Sequence, residues 1–208
     1  MRDNGRLGPI EWATAGRPLP GECVSGDQPI ALGVGGDGAL FGVIDGLGHG
    51  TAAATAARRA VDVLEHARTE PLDVSIQVCH RALAGTRGVT MTLAWVDFAA
   101  STLTWTGVGN VTANLVAKDP AGIHIRSSAR LAAGIVGYRI PDIAPAQVIS
   151  LRVGDLLVIA TDGITEDHLQ HVDLAASAVG IAENILGQHA KETDDAMVLA
   201  ARHRGAAR

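Results

Sequence analysis

One nine-residue stretch, Val43-Ile44-Asp45-Gly46-Leu47-Gly48-His49-Gly50-Thr51, constrains the fold more than any other part of the chain. An apolar run ends in a carboxylate, glycines then alternate with other residues, and an alanine-rich segment begins. That order predicts a strand, a tight loop and a helix, because glycine permits the sharp turn that the loop requires. The carboxylate is therefore expected at the end of a strand and beside the start of a helix.

The segment after this loop predicts an amphipathic helix from about residue 49 to residue 67. Alanine and leucine recur at helical spacing on one face, and charged residues occupy the rest of the surface. The free amides at the start of this helix would lie beside Asp45, where they favour a carboxylate or a bound phosphate. A second helix is expected from about residue 72 to residue 83.

The rest of the chain reads mainly as strands. An edge strand is expected at 10–15, and two runs separated by Gly35-Gly36-Asp37-Gly38 predict a hairpin. The closely spaced runs that follow predict a meander and hence an antiparallel sheet. The expected strands after the first are 30–34, 39–44, 89–96, 102–106, 111–117, 123–125, 148–151, 156–161 and 196–200.

Two further segments complete the expected architecture. Residues 130–145 predict an irregular crossover, and a helix is expected within 165–188, broken near Gly180. Trp12, Trp95 and Trp105 lie in expected strands and are interpreted as core residues.

Composition narrows the class of protein. The 208 residues and 47% hydrophobic content suit one domain over 1–208 with a single large core. The net charge is −5 and the basic residues are scattered, which argues against nucleic acid or an anionic membrane as partner. Cys23 and Cys79 form no metal-binding or disulfide pattern, so both are expected as small buried residues in a reduced, cytoplasmic protein.

Four acids lie at the borders of strands: Asp27, Asp45, Asp162 and Asp194, with Asp195 beside the last. Each one alone is readily explained as a turn residue. Together they suggest a binuclear site for Mg²⁺ or Mn²⁺, because carboxylates and backbone carbonyls are the hard oxygen ligands these ions prefer. Converging carboxylates would otherwise repel one another. A zinc site is disfavoured because the chain has neither paired cysteines nor a His-x-x-x-His pattern.

Three other patterns are given a structural interpretation. The spacing Gly33-x-Gly35-x-x-Gly38 matches a dinucleotide fingerprint but leads into a strand instead of a helix. The adjacent Cys79 and His80 are interpreted as helix residues. His168 and His171 have the spacing of a possible metal pair, although solvated surface is the preferred interpretation.

The ordered motifs resemble those of the PP2C superfamily of metal-dependent protein phosphatases. Gly26-Asp27, Asp45-Gly-Leu-Gly-His-Gly, Ala160-Thr-Asp-Gly163 and Asp194-Asp-x-x-x-Leu199 occur in the order found there. The chain looks most like the bacterial sporulation and stress-response (SpoIIE-like) branch, and its size resembles the stand-alone phosphatases of stressosome signalling. The resemblance spans roughly residues 10–202.

This resemblance implies an α+β fold of two stacked antiparallel sheets flanked by helices, with two metal ions in a cleft at one end. Asp45 would bridge both ions, the Gly46 carbonyl would bind one, and Asp162 and Asp194 would hold the other. Asp27 matches the acid of the first motif and would bind metal directly or through water.

The chain also departs from the pattern of larger relatives. Gly26 stands where many of them have an acid, so one ion would be held more weakly. His49 lies four residues after Asp45, as in the bacterial branch, and is a candidate to donate a proton, to orient water or to cap the helix. No arginine occupies the relatives' phosphate-binding position, and Arg17 is the nearest candidate.

The implied function is hydrolysis of phosphoserine or phosphothreonine by a metal-activated water. The implied substrate is a phosphorylated regulator in bacterial signalling, either a stressosome scaffold or an anti-sigma antagonist. Two alternatives remain open at this level. One is a phosphatase fold that only binds a signalling protein, and the other is an anion-binding protein that uses the helix terminus at His49.

Overall fold

The computed structural model describes residues 1–143, 145–170 and 172–205, and folds them into two β-sheets with helices on the outer faces. The strands are β1 Arg2–Leu7, β2 Ile10–Arg17, β3 Asp27–Val34, β4 Gly38–Gly46, β5 Val89–Asp97, β6 Thr102–Val108, β7 Thr112–Asp119, β8 Gly122–Ser128, β9 Leu131–Ala132, β10 Gln147–Ser150, β11 Leu156–Ala160 and β12 Ala196–His203. The helices are α1 Gly50–His66, α2 Leu72–Ala82 and α3 Ala178–His189.

The two sheets have different strand orders. The first sheet is β1-β2-β12-β11-β7-β8, and the second is β10-β6-β5-β4-β3, with β9 paired to β6. The pairs are antiparallel except for β6 with β9. The expected α+β sandwich of antiparallel sheets is therefore confirmed.

Three apolar layers hold this sandwich together. Side chains such as Phe41, Trp105, Leu115 and Leu199 fill the space between the sheets. A second cluster joins α3 to the outer face of the first sheet, and a third joins α1 and α2 to the outer face of the second. Residues that point between the sheets form the central layer, and residues that point outward pack under the helices. Strands covered on both faces are therefore apolar at most of their positions.

Helix α1 forms where the alanine pattern predicted it. Its inward face is built from alanines and Leu64, all of which are buried. Small side chains allow the helix axis to approach the sheet closely, and α1 contacts β3, β4 and β5. Its N-terminus therefore lies directly over the end of β4, where Asp45 is located.

The expected edge strand near the N-terminus is an interior strand. Strand β2 pairs with β12 on one side and with β1 on the other, so the edge is β1. Strand β1 has the sequence Arg-Asp-Asn-Gly-Arg-Leu. Leu7 is its one apolar residue, so the strand shows no apolar alternation. Its residues are mostly exposed, so burial left no signal in the sequence.

The expected three-strand meander is also wrong in part. Strands β5 and β6 form a hairpin, but β7 lies in the other sheet between β11 and β8. The chain crosses from one sheet to the other at Gly109-Asn110, where Gly109 has a φ of +102°. Glycine adopts this conformation without strain, so the crossover needs only a short connection.

The last helix begins later than expected, and Gly180 does not break it. Ser177 caps α3 by accepting a hydrogen bond from the Gly180 amide at 3.1 Å. Gly180 lies in the first turn, where a cap compensates for its low helix propensity. Residues 165–170 form hydrogen-bonded turns instead of helix, and no described helix meets the length and hydropathy needed to cross a membrane.

The tryptophans and cysteines expected in the core have mixed outcomes. Trp12 and Trp105 are buried as expected, and Trp95 is partly buried against the helix layer. Cys79 is buried among apolar side chains, but Cys23 is exposed, so the expectation of two buried cysteines is wrong for Cys23. Cys23 lies in the turn-rich segment between β2 and β3, which no apolar layer covers.

Candidate metal centre

The acids of the two sheets approach one another at one end of the sandwich. Asp27 and Asp45 are directly opposite in the register of β3 and β4. Thr161, which follows β11 in the other sheet, donates a hydrogen bond from Oγ1 to Asp27 Oδ2 at 2.9 Å. This contact ties the buried Asp27 to the strand that leads to Asp162.

Asp195 fixes the loop between β2 and β3. Its Oδ1 accepts a hydrogen bond from the Leu19 amide at 2.7 Å, and its Oδ2 accepts one from the Gly26 amide at 2.8 Å. Asp195 is buried. Because both of its carboxylate oxygens accept these hydrogen bonds, Asp195 positions the loop from Leu19 to Gly26. Its neighbour Asp194 is only partly buried.

Asp162 is oriented by residues that sequence reasoning missed. Asn110 donates from Nδ2 to Asp162 Oδ2 at 2.7 Å, and Asn110 Oδ1 accepts from Thr90 Oγ1 at 2.7 Å. The Thr90 hydroxyl also lies beside the Asp45 carboxylate. These contacts form a polar link from Asp45 to Asp162 across the sheet crossover. The Gly107-Val108-Gly109 run before Asn110 indicates a tight turn, but nothing in the sequence indicates that Asn110 contacts Asp162.

A lysine also contacts this region. Lys191 donates from Nζ to the backbone oxygen of Asp162 at 2.7 Å. Arg17, the expected candidate for phosphate binding, donates to the backbone oxygens of Pro18 and Lys191 and lies 3.6 Å from Glu192. Its guanidinium is thus occupied by the loop around Lys191.

Three glycines of the motifs stand where no other residue fits. A Cβ on Gly46 would lie 2.3 Å from the Ala53 backbone oxygen, and one on Gly163 would lie 1.8 Å from the Asp195 backbone oxygen. A Cβ on Gly26 would lie 2.8 Å from the Ala53 methyl group and 3.0 Å from Asp195 Oδ2. The departure at Gly26 therefore reflects a space that α1 and Asp195 already fill.

His49 is the N-cap residue of α1, but its side chain makes no capping hydrogen bond. Its Nδ1 instead lies 2.7 Å from Glu22 Oε1, on the loop that Asp195 anchors. The imidazole is 56% exposed, so it faces the solvent side of the cleft. Side-chain capping, one of the three roles considered for His49, is therefore not observed. No pattern in the sequence points to Glu22.

Burial and mutual repulsion change the proton affinity of these acids. Burial, then the charge of Asp45, raises the pKa of Asp27 well above its usual value, although the Thr161 hydrogen bond opposes this. Burial and then the charges of Asp162, Asp194 and Asp195 raise the pKa of Asp45 to about 7. Burial raises the pKa of Asp194 as well, and nearby His49 opposes that rise. Each carboxylate therefore lies within the field of the others.

The donor set suits a hard divalent cation. Carboxylates and the Gly46 backbone, closely covered by α1, present oxygen ligands. Burial and then the neighbouring carboxylates raise the pKa of Asp27 and Asp45, and a bound cation would favour the charged forms of both. Within residues 1–143, 145–170 and 172–205, no three His, Cys, Asp or Glu side chains are close enough together to hold one ion as the side chains stand. Side-chain rotation would have to accompany binding.

Of the two histidines with metal-pair spacing, the structure describes His168. His168 is buried, which contradicts the preferred interpretation of solvated surface, and its Nδ1 lies 2.7 Å from the Thr165 backbone oxygen. The short turn at 165–170 folds the imidazole inward. His171 lies outside the described residues.

The chain as a whole is similar to several solved structures. A chain from a structure of the bacterial stressosome, described as a modular system adapted to control secondary messenger signalling, is 31% identical and superposes with a TM-score of 0.82 over 93% of this chain and 99% of the other. RsbX in complex with magnesium is 21% identical, with a TM-score of 0.79 over 97% and 99%. The catalytic domain of the serine/threonine phosphatase PstP with two manganese ions is 17% identical, with a TM-score of 0.66 over 93% and 97%.

The fold is thus that of the PP2C-type phosphatases. The sequence model of stage II sporulation protein E (SpoIIE) matches residues 35–207, so the chain belongs to the SpoIIE family. No curated protein matches the chain in sequence.

Proposed function

We propose that this protein is a metal-dependent phosphatase that removes phosphate from phosphoserine or phosphothreonine of a bacterial regulatory protein. The observation that carries the proposal is the meeting of Asp27 and Asp45, from one sheet, with Asp162 and Asp194, from the other. Such a concentration of acids opposes folding unless a counter-charge is supplied. A divalent cation is the simplest counter-charge for an all-oxygen donor set.

The assignment of ligands follows the motifs. Asp45 and the Gly46 carbonyl would hold one ion, Asp162 and Asp194 together with Asp45 would hold a second, and Asp27 would bind metal directly or through water. RsbX has been solved with magnesium and PstP with two manganese ions, which supports two ions of either kind here. When bound, the ions would supply Lewis acidity for activating water and for neutralising phosphoryl charge.

The chain's own residues would hold these ligands in place. Asn110 donates a hydrogen bond to Asp162 and Thr161 donates one to Asp27, and these partners would orient the two carboxylates as they turn toward a cation. Hydrogen-bonded partners of metal ligands fix ligand orientation and strengthen binding.

We assign to His49 the donation of a proton from Nε2 of its doubly protonated ring to the serine or threonine oxygen that leaves phosphorus, which leaves the ring neutral with its remaining proton on Nδ1. Glu22 would hold the imidazole through Nδ1, at the observed 2.7 Å. A carboxylate on one ring nitrogen fixes the tautomer and the orientation of the other. The exposure of His49 at the mouth of the cleft suits contact with a protein substrate.

The substrate class rests on the relatives. One relative comes from a stressosome structure and another is RsbX, both similar to this chain along nearly their whole length. We propose a phosphorylated stressosome scaffold or anti-sigma antagonist as substrate, within the cytoplasm, and a single phosphatase domain over residues 1–208.

Hydrolysis of an aryl phosphate in the presence of Mn²⁺ tests the proposal. Asp45→Asn and Asp162→Asn should each lower turnover by about 1,000-fold or more, because a neutral amide cannot hold the cation's charge. Asp37→Asn is the matched control, since Asp37 is an exposed acid in the turn between β3 and β4. Undiminished turnover in either site variant would overturn the assignment.

A non-catalytic interaction module is the second candidate. Two observations favour it: the space at Gly26 admits no additional acid, and no three described acids form a compact group. Such a module need not take up metal, whereas the phosphatase must. Measurement of Mn²⁺ uptake therefore separates the two candidates.

A further inference from the structure

A second concave site lies at the opposite end of the first sheet. It is a cavity of about 640 Å³ between the β7–β8 hairpin, the turn before β11, and the end of β12. Its size lies within the range of small-molecule sites. The segment at 173–175 forms the remaining wall.

This cavity is separate from the acidic cleft. Asp155 lines the cavity and immediately precedes β11, whereas Asp162 follows the same strand by two residues. An extended chain rises about 3.3 Å per residue, which puts roughly 20 Å between them. Any ligand of the cavity therefore has no contact with the proposed metal ligands.

An ion pair builds the floor of the cavity. Arg126 donates from Nη1 to Asp155 Oδ2 at 2.6 Å, and the Arg152 amide donates to the same oxygen at 2.8 Å. Asp155 is 4% exposed and Arg126 is 16% exposed. Arg126 also donates to the backbone oxygen of Ser150. These contacts neutralise Asp155 and fix the turn that presents the Arg152 side chain.

Three cationic groups remain available at the walls. Lys118 and Arg152 line the cavity, and neither side chain donates a hydrogen bond to any residue in the part of the chain that the structure describes. Arg202 donates to the Ala176 backbone oxygen at 3.0 Å, but its buried Nε has no partner among the described residues. Burial, then the charge of Arg204, lowers the pKa of Arg202, so an anion there would relieve an unfavourable environment.

The acids at the walls are engaged locally. Asp119 accepts a hydrogen bond from the Ala121 amide at 2.8 Å and lies 3.5 Å from His124. Asp173 accepts one from the Ala175 amide at 2.8 Å. Their carboxylates stabilise turns, so the Lys118 and Arg152 side chains and Arg202 Nε remain without hydrogen-bond partners among the described residues.

Apolar surface adjoins these cations. Ile123 is 40% exposed and Val153 is 70% exposed, and both line the cavity. Guanidinium and ammonium groups bind phosphate through charge-assisted hydrogen bonds, and an adjacent apolar surface accommodates an organic group. We propose that this basic cavity binds a small organic phosphate, with its phosphate group between Lys118, Arg152 and Arg202 and its organic part on Ile123 and Val153.

Calorimetry in EDTA tests this site without any contribution from bound metal. Adenosine monophosphate, as a probe of phosphate plus a planar organic group, should bind at one site per chain and more tightly than inorganic phosphate. The double variant Lys118→Gln/Arg152→Gln should weaken its binding about ten-fold or more, because two charge-assisted contacts are lost. Arg58→Gln/Arg59→Gln, which removes two exposed charges from α1, is the matched control and should change affinity less than about two-fold.

Amide shifts in a ¹H–¹⁵N spectrum show where the probe binds. Adenosine monophosphate should shift Lys118, Ile123 and Gly154 and leave the Gly46–Gly50 loop unchanged. Thermal unfolding of the double variant at the wild-type temperature would show that its fold is intact. Absence of binding up to about 10 mM, equal affinity in the double variant, or shifts confined to the Gly46–Gly50 loop would each overturn the proposal.

Discussion

The two ends of β11 present opposite chemistries on one rigid strand. At its C-terminal end, Asp162 joins acids from both sheets, and their repulsion is relieved only by protonation or by a cation. At its N-terminal end, Asp155 is neutralised by Arg126, and further cations surround an open cavity. The chain's net charge of −5 reveals neither concentration. Local charge, set by the fold, decides which ligand each end attracts.

The two ends also differ in how they are built. The acidic end depends on contacts between sheets, including the Thr161–Asp27 hydrogen bond and the hydrogen bond from the Gly26 amide to Asp195. The basic cavity is formed by turns and strands of the first sheet together with residues 173–175. Changes at the acidic end should therefore affect folding more strongly than comparable changes at the basic end.

Matched glycine substitutions on either side of β11 should show the largest difference in stability. Gly163→Ala would force a methyl group within 1.8 Å of the Asp195 backbone oxygen, so we expect a loss of more than about 3 kcal/mol. Gly154→Ala has open space but a φ of +96°, which corresponds to about 1–2 kcal/mol. Urea unfolding measures the free energy of unfolding of both variants. Equal losses in the two variants would contradict the claim that the acidic end is the more tightly packed of the two.

The metal-free protein should lose stability as the pH rises. The pKa of Asp45 is raised from 3.8 to about 7 on folding, so the folded state holds its proton more tightly than the unfolded state does. The resulting stability is fully present below about pH 4 and is lost through about pH 7. Each unit of pKa change corresponds to about 1.4 kcal/mol, so the total is of the order of a few kcal/mol.

Thermal unfolding in EDTA at pH 6 and pH 8 measures this effect. The melting temperature should be lower at pH 8, and added Mn²⁺ should remove the difference. In Asp45→Asn, the dependence on pH should be reduced. A metal-free protein that is more stable at pH 8 would show that the carboxylates do not repel one another as the structure indicates.

Asn110→Ala should have a smaller effect, confined to the site. It removes the hydrogen bond to Asp162 Oδ2, and loss of a partner that orients a ligand typically lowers metal affinity or activity by about 10–100-fold. Asn114→Ala is the control, because Asn114 lies on β7 and bonds Ser128 instead. Equal Mn²⁺ affinity and aryl phosphate turnover in the two variants would rule out a positioning role for Asn110.

The sequence predicted the elements that leave a periodic signal. Apolar alternation and turn glycines placed the β3–β4 hairpin, and alanine spacing placed α1. Strand β1 is polar and exposed, so it had no such signal. The transfer of β7 to the other sheet depends on pairing between residues distant in sequence, such as Leu115 with Leu157, which local patterns cannot specify.

The residues of the candidate site also divide into those that the sequence predicted and those that it did not. Asp27, Asp45, Asp162 and Asp194 stand in recognisable motifs at strand borders, so their positions could be read from the sequence. Asn110, Thr90, Glu22 and Lys191 act through contacts that only the folded chain creates. The basic cavity likewise joins residues scattered from Lys118 to Arg202, which explains why the sequence showed no basic cluster.

Calorimetric titration of the metal-free protein with Mn²⁺ tests most directly whether the acidic end is a metal centre. We expect two ions to bind per chain, both to be lost or greatly weakened in Asp45→Asn, and the Asp37→Asn control to bind as the wild type does. No uptake by the wild type, or unchanged uptake by Asp45→Asn, would contradict the metal centre and favour a protein that binds its signalling partner without catalysis.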